Sequence, residues 1–408
     1  MNDFDLIVIG GGAAGFFGAI QAAEMHGGLR VLIVEKTNQL LTKVKVSGGG
    51  RCNVTHHCFN PIKLAHHYPR GEKQLKALFK QYHAQDVLQW FDDKGVQLKT
   101  EPDGRIFPAS DRSQTIIDCF LREALQRKIK IQAGLAVTAI VPEESHFLVN
   151  CGSITFTAKA VLVACGGNSK AEAYHFITQL GHTIVPPIPS LFTFNDAQKD
   201  FKDLMGLSVA NASVRIAGTK FSAQGPVLIT HWGLSGPAVI RLSAWSAEYL
   251  HQQNYRFTAL VNWTGDLTED ALRENLHQHK LSRGKQKVIS NSLFDLPQRL
   301  WQRLCLQAGI GDHHIWAEIP QKNLNRLIEF LIRCPFNIAG KTTFKEEFVT
   351  CGGVDLSEVD IATLQSRKVK DLYFAGEVLN IDGETGGFNF QSAWTTAYVA
   401  AKSMRFDV

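Results

Sequence analysis

Three glycines and one carboxylate form the most chemically specific pattern in the chain. Gly10, Gly12 and Gly15 hold a G-x-G-x-x-G spacing, and Glu35 follows twenty residues after the last of them. In such a pattern the first glycine permits a tight turn, the second lets a phosphate approach the backbone, and the third lets a helix pack on the strand before it. The N–H groups of Ala13 and Ala14, where that helix opens, face a pyrophosphate with the positive end of the helix dipole behind them. Glu35 accepts hydrogen bonds from ribose hydroxyls and repels a 2'-phosphate, so FAD or NAD fits here and NADP fits poorly.

Two further glycine-rich runs bear on the same chemistry. Ser47-Gly48-Gly49-Gly50-Arg51-Cys52-Asn53 lets backbone lie close to a flat ring or a phosphate, with Arg51 adding a fixed cation. Two roles are open to Arg51, a cofactor contact or a partner for a surface carboxylate. Cys52 reads as a redox partner or covalent anchor on one view and as a small buried side chain on the other. Gly386-Gly387-Phe388-Asn389 opens the last helical segment and offers free amides for negative charge on a flavin; the plainer alternative is a loop ahead of a packed helix. Glu377, after Gly376, reads as a partner for ribityl or pyrophosphate-side hydroxyls, or as a turn acid capping nearby amides. His231 precedes a Gly-Leu-Ser-Gly-Pro turn and is the leading candidate for a proton donor or base, with a structural histidine as the alternative.

The elements that must position these residues follow from periodicity. Leu6–Ile9 and Val31–Val34 are unbroken apolar runs of the kind buried on both faces of a parallel sheet, with a helix from about Ala13 between them. Apolar residues from Leu75 to Phe91 recur at the spacing of one helix face, and a strand, a Pro102-Asp103-Gly104 turn and a return strand fill 96–110. A helix is expected over 111–128 with Ser110 as its cap. Val137–Ile140, Phe147–Cys151 and Ile154–Phe156 read as a small antiparallel layer, and Ala160–Ala164 as a separate buried strand breaking at Gly166-Gly167. Pro186, Pro187 and Pro189 mark a first boundary. Alternating segments then indicate a mostly β region, and the stretch from Leu267 to Arg333 shows helical spacing in three pieces. Leu372–Ala375 and the helical pattern from Phe388 to Met404 need a sheet to join, which returns the C-terminus to the dinucleotide domain. The expected architecture is α/β: a Rossmann-like FAD-binding domain built from both chain ends (1–189 and 338–408), an inserted mostly β substrate domain (190–265) and a small helical cap (266–337).

With 408 residues, 45% hydrophobic and 20% charged, the chain has the composition of a globular protein with two or three domains. The net charge of +5 is spread without a basic tract, so a dedicated nucleic-acid arm is not indicated. Eight cysteines show no C-x-x-C pair and no zinc spacing, which reads as reduced cytosolic thiols. The pairs His56-His57, His66-His67 and His313-His314 read as solvated surface. No run reaches membrane-spanning length and the apolar N-terminus lacks a positive flank, so a cytoplasmic protein is expected.

Four motifs together resemble a bacterial family of FAD-dependent oxidoreductases described as aminoacetone-oxidase-like or BaiN-like flavoproteins, within the glutathione-reductase-type FAD fold. They are Gly10–Gly15; Ser47–Thr55; Thr230-His231-Trp232-Gly233-Leu234-Ser235-Gly236-Pro237; and Tyr373–Glu377 running into Asp382-Gly383 and Gly386–Asn389. Two departures stand out: Asn168–His175 replaces a loop the family makes rich in Pro, Gly and Asp, and Cys165 stands where threonine is common. The resemblance implies a split FAD domain, an inserted β domain and a helical cap, and turns Arg51 toward FAD. Lys36, Lys43, Val137, Ala164, Cys165 and Gly166 complete the candidate cofactor-binding set. The activity implied is hydride transfer between flavin N5 and a small or medium organic substrate, in a cleft between the FAD domain and the insert. A single strand-linked G-x-G-x-x-G leaves no built-in nicotinamide domain, so NAD(P)H or oxygen would act transiently as second partner. An RNA-modifying or RNA-binding flavoprotein, an NAD-only dehydrogenase and a non-catalytic flavin sensor are the alternatives.

Overall fold

The computed structural model describes residues 3–265, 267–342 and 349–406. These divide into two compact units, one drawn from 1–190 and 344–408 and the other from 191–343.

The first unit is organised by the strand Asp3–Ile9, buried from Phe4 onward. It pairs in parallel with Val31–Val34 on one side and with the long strand Ile154–Val163 on the other, Ile9 lying opposite both Val34 and Val163. Lys130–Gln132 extends the sheet beyond Val31–Val34. The run from Leu372 to Phe374 joins it in parallel against Val161–Val163, so the end of the chain enters the sheet begun by its start. The segments expected as two strands, at 154–156 and 160–164, are one element, Ile154–Val163. Its first half pairs with the antiparallel hairpin Ala139–Pro142 and Phe147–Cys151, where exposure alternates; its last four residues are continuously buried. One strand therefore changes its burial period along its length, and that change reads as a break in the sequence.

Helix Ala13–Met25 and the closing helix Phe388–Ser403 pack on this sheet through small residues. A Cβ on Gly18 would lie 2.6 Å from Leu162 Cδ2 and 3.5 Å from Ala397 Cβ. Phe17, Trp90, Phe120 and Trp394 complete the core, with the Phe17 ring 5.0 Å from Trp90 and 5.4 Å from Trp394. The helical face from Leu75 to Phe91 belongs to two helices, Glu72–Leu78 and Ala84–Asp93. The second restarts at a capping box in which the His83 N–H donates to Asp86 Oδ2 at 2.7 Å, so the apolar periodicity runs on across a turn. The next helix is Ser113–Gln126 and Ser110 does not cap it. Asp111 has a φ of +54°, which excludes a helical start there, and the Ser110 hydroxyl bonds Thr115 Oγ1 at 2.6 Å instead.

The second unit is a closed six-stranded barrel whose strands lie in the order Thr193–Asp196, Gly233–Ser235, Ser222–Ile229, Ser208–Ile216, Arg256–Asn262 and Cys334–Thr342. Its last strand follows the helices Glu269–Arg283, Gln298–Gln307 and Gln321–Ile332, and barrel and helices share one core containing Trp263, Trp301 and Trp316. No helix among the described residues is long and apolar enough to cross a membrane. All eight cysteines are free thiols.

Within the first unit, Ile184–Pro189 pairs antiparallel with Thr350–Val354, and Pro186 and Pro187 fall at a register shift that spares their missing N–H groups. Just ahead of this ladder, Glu358 accepts from Thr183 N–H and Oγ1, both at 2.8 Å, and from Lys368 Nζ at 2.6 Å. Burial pushes the Glu358 carboxyl up, but Lys368 and Thr183 outweigh it and hold it at about 2, below the ordinary 4.5. A depressed carboxyl contributes stability at neutral pH that is lost as pH falls through the interval between those values. Glu358→Gln is therefore expected to lower the thermal unfolding midpoint at pH 7, with the gap to wild type closing as acidity approaches the lower value. An equal gap at both ends of the range counts against the assignment.

Candidate functional site

The glycine turn is built as its spacing requires. Gly10 has a φ of +116°, and a Cβ there would lie 2.4 Å from Ala164 O. On Gly15 a Cβ would lie 1.9 Å from Gly10 O, whereas on Gly12 it would meet nothing within 4 Å. The helix after the turn has no side-chain cap and no acid in its first turn. Its first backbone bond runs from Phe16 N–H to Gly12 O at 3.0 Å, which leaves the Ala13 and Ala14 amides without intrahelical acceptors. Glu35 ends the second strand beside this turn, where Oε2 accepts from Gly11 N–H at 2.8 Å and Oε1 from Thr37 N–H at 2.9 Å. The Leu135 N–H donates to Glu35 O at 2.9 Å and brings the segment carrying partly buried Val137 alongside. Lys36 is exposed.

The Ser47–Asn53 run breaks its helix with three left-handed glycines, at φ of +58°, +69° and +83° for Gly48, Gly49 and Gly50. Cβ atoms on Gly49 and Gly50 would meet open space. Cys52 is fully buried, and burial pushes its thiol up to about 12, so it stays protonated at neutral pH. The Arg51 guanidinium pairs with Glu101 at 2.6 Å and Asp111 at 3.4 Å and lies 3.9 Å over the Phe107 ring. These are the carboxylate partners that sequence alone left open. With its amide turned to satisfy its neighbours, Asn53 accepts from Gly387 N–H at 3.0 Å and donates to Thr55 O and Ile106 O.

That bond joins the run to the C-terminal part of the site. Gly387, at φ +93°, precedes the closing helix, and a Cβ there would lie 2.6 Å from Thr55 O; no side chain caps the helix. Phe388 is buried, and Asn389 exchanges two 2.9 Å hydrogen bonds with the Gly383 backbone. Gly376 sits where a Cβ would be 2.8 Å from Ala14 Cβ and 3.9 Å from Ala393 Cβ, so the opening helix, the closing helix and the Gly376-Glu377 turn meet at one point. Glu377 is ion-paired with Lys43, and its Oε2 accepts from Gly167 N–H at 3.5 Å beside Ala164, Cys165 and Gly166. Cys165 is also pushed up to about 12 by burial.

His231 belongs to the second unit. It is exposed, with its ring 4.0 Å from that of Trp232, and the adjoining Gly233 and Gly236 are fixed by backbone contacts of 2.4 Å and 2.7 Å that a Cβ would make. The histidine pairs correct the sequence expectation in part. His57 and His66 are exposed, but the His56 and His67 rings stack on Phe388 at 4.8 Å and 4.1 Å. Neighbours in sequence point different ways, so one of each pair turns inward. Sequence reasoning also missed Arg70 and Ser190, which meet Asp382 in the interior. The only signal was the Tyr68-Pro69-Arg70-Gly71 turn, with Gly71 at φ +86°.

Two uncapped helix starts, an open position at Gly12 and an acid at the second strand end form a cradle whose donors and acceptor fit FAD: the first helix would hold the pyrophosphate, Glu35 a ribose and the closing helix the flavin. Residues 4–403 match the family model described as the HI0933-like protein Rossmann domain. The chain belongs to that family. It is similar to the ribosomal RNA dihydrouridine synthases of Haemophilus influenzae, at 29% identity over 98% of both chains, and of Escherichia coli K12, at 28% over 99% of this chain and 98% of the relative. It is also similar to the 3-dehydro-bile acid delta(4,6)-reductase of Clostridium scindens, at 27% over 97% of this chain and 98% of that one. Among solved structures, the 3-ketosteroid-delta4-(5alpha)-dehydrogenase of Rhodococcus jostii RHA1 shares the fold, with a TM-score of 0.52, 12% identity and coverage of 98% and 97%. The cofactor is FAD and the chain is a flavin-dependent oxidoreductase.

The glycine geometry separates two neighbouring substitutions. Gly15→Ala drives a methyl into Gly10 O and is expected to destabilise the fold by roughly 1–3 kcal/mol or more and to lose FAD. Gly12→Ala has room, so it should leave unfolding unchanged and affect only FAD affinity. Denaturant unfolding and flavin absorbance of the purified variants check both outcomes.

Proposed function

We propose that this flavoenzyme reduces a carbon–carbon double bond conjugated to a ring carbonyl in a small or medium organic substrate. The cofactor cradle carries the redox half of this reading: Gly376, wedged against Ala14 and next to Ala393, brings the opening and closing helices together. The relatives support the substrate half. A dihydrouridine synthase and a delta(4,6)-reductase, as named, both saturate ring double bonds that a carbonyl polarises. When bound, FAD supplies hydride transfer through N5.

The residues of the chain have separable tasks. Of the amides at Gly386–Asn389, that of Gly387 is engaged by Asn53, and the others would face the negative charge that reduction brings to a bound flavin. Glu35 and the Gly10–Gly15 turn anchor the other end of the cofactor. His231 or a bound water supplies the proton that completes saturation. With one dinucleotide pattern in the chain, NAD(P)H acts as a transient reductant and oxygen as an alternative acceptor.

A second reading takes the substrate as a uracil ring within ribosomal RNA. It is favoured by the names of two relatives that match over nearly the whole chain and by the net charge of +5.

One anaerobic series tests both. The yellow protein is reduced with NADH or NADPH and then mixed with a steroid 4-en-3-one, a steroid 4,6-dien-3-one, uridine, and rRNA from cells lacking the enzyme. Reoxidation by a steroid, with two hydrogens gained in the product, supports the first reading; dihydrouridine in the digested rRNA supports the second. Reoxidation by oxygen alone sinks both. His231→Asn is expected to slow reoxidation by the productive substrate ~10²-fold while leaving reduction by NAD(P)H unchanged.

A further inference from the structure

Asp382 is fully buried, and both its oxygens are occupied by groups distant in sequence. Arg70 Nε donates to Oδ1 at 2.6 Å and Arg70 Nη2 donates to Oδ2, making the pair bidentate. Ser190 Oγ donates to Oδ2 at 2.5 Å, and Arg70 Nη2 also reaches Ser190 Oγ at 3.2 Å. The two backbones meet as well, in an isolated bridge between Arg70 and Asp382. Burial pushes the Asp382 carboxyl up and Arg70 pulls it back; the charge of Glu377 adds to the rise, so the pair lies within electrostatic reach of the Lys43–Glu377 side of the cradle.

The segments on either side of this pair run together. Gly71 closes on Ile381, where a Cβ would lie 2.6 Å from Cγ1. The Glu384 N–H donates to His67 O at 2.9 Å, and His67 Nδ1 meets Glu384 Oε2 at 3.1 Å. The stretch 67–71 therefore forms a rail along 381–384, the loop that leads into Gly386 and Gly387. A buried bidentate ion pair adds little net stability, because desolvation offsets the attraction, and an apolar pair would pack as well. What it supplies is directionality, since the planar guanidinium fork accepts a carboxylate in few orientations.

We propose that Arg70 is a positioning residue for the flavin: by clamping buried Asp382 together with Ser190, it fixes the loop that presents the amides of the closing helix to the isoalloxazine ring. This rests on FAD occupying the cradle. Removing the guanidinium frees the loop. Removing the carboxylate frees the loop too, and also takes one negative charge away from the Lys43–Glu377 side of the cradle.

The test compares Arg70→Met, Arg70→Lys, Asp382→Asn and Ser190→Ala with wild type by FAD titration, visible spectrum, midpoint potential of the bound flavin, and thermal unfolding of the apoprotein. Arg70→Met and Asp382→Asn are expected to weaken FAD by tenfold or more. Asp382→Asn should also raise the midpoint potential, because one negative charge fewer nearby favours the negative charge of reduction, whereas Arg70→Met should not. Arg70→Lys should recover part of the affinity, and Ser190→Ala, the mildest change, should lose a few-fold and shift the flavin bands. If Asp382→Asn does not fold, the spectral shift of Ser190→Ala decides. Unchanged affinity, potential and spectrum overturn the proposal. Affinity losses that only track thermal stability, with the potential unmoved, also overturn it and leave a purely structural ion pair. A wild-type protein that takes up no FAD sinks the cofactor reading itself, whereas intact wild-type binding with unmoved variants sinks only the positioning role.

Discussion

The constraint on which the first unit depends is the absence of side chains where the two ends of the chain touch. Gly376 lies against Ala14 and Ala393, and Gly18 lies between Leu162 and Ala397. At these points helices and strand approach so closely that one methyl group would push them apart. Dispersion and burial favour such contacts only while the surfaces stay matched at the ångström level. The opening and closing helices consequently hold their N-termini in a fixed relation, and a cofactor spanning them would meet donors whose spacing is set before it arrives. Preorganisation of this kind avoids reorganisation of the site during the reaction.

A second theme is how the unit treats charge near the cradle. Glu377 is matched by Lys43, Asp382 by Arg70, and Glu358 by Lys368. Each acid is mostly or wholly buried, and each cation arrives from a segment far away or across a turn. The charge of these acids is thus neutralised locally, and the backbone amides at uncapped helix starts add electropositive features of another kind. Such amides carry partial charge without mobile side chains, which suits a ligand with two phosphates and an electron-accepting ring.

Much of this was legible in the amino-acid pattern, for reasons that are local. The Gly10–Gly15 turn, Glu35 and the apolar runs beside them are contiguous, so spacing alone encodes their geometry. The return of Leu372–Phe374 to the sheet was legible because a lone buried strand has to find partners. What escaped was non-local or masked. Ile154–Val163 read as two strands because its environment changes midway. The Leu75–Phe91 face read as one helix because periodicity does not register a capping turn that keeps phase. Arg70, Ser190 and Asp382 lie in three distant segments, and nothing in one segment announces the others. His67 looked like half of a solvated pair until its ring was placed against Phe388.

The parallel pairing of Leu372–Phe374 with Val161–Val163 has a consequence for folding. Until Leu372–Phe374 and the helix Phe388–Ser403 are in place, that stretch of the central strand has a bare edge with unpaired N–H and C=O groups, and the first helix lacks the partner that covers it. A chain in this state is a template for wrong strand addition, and pairing across so many residues is slow because loop closure precedes any reward. Completion of this sheet therefore depends on a contact between segments about two hundred residues apart, and the edge stays open until that contact forms.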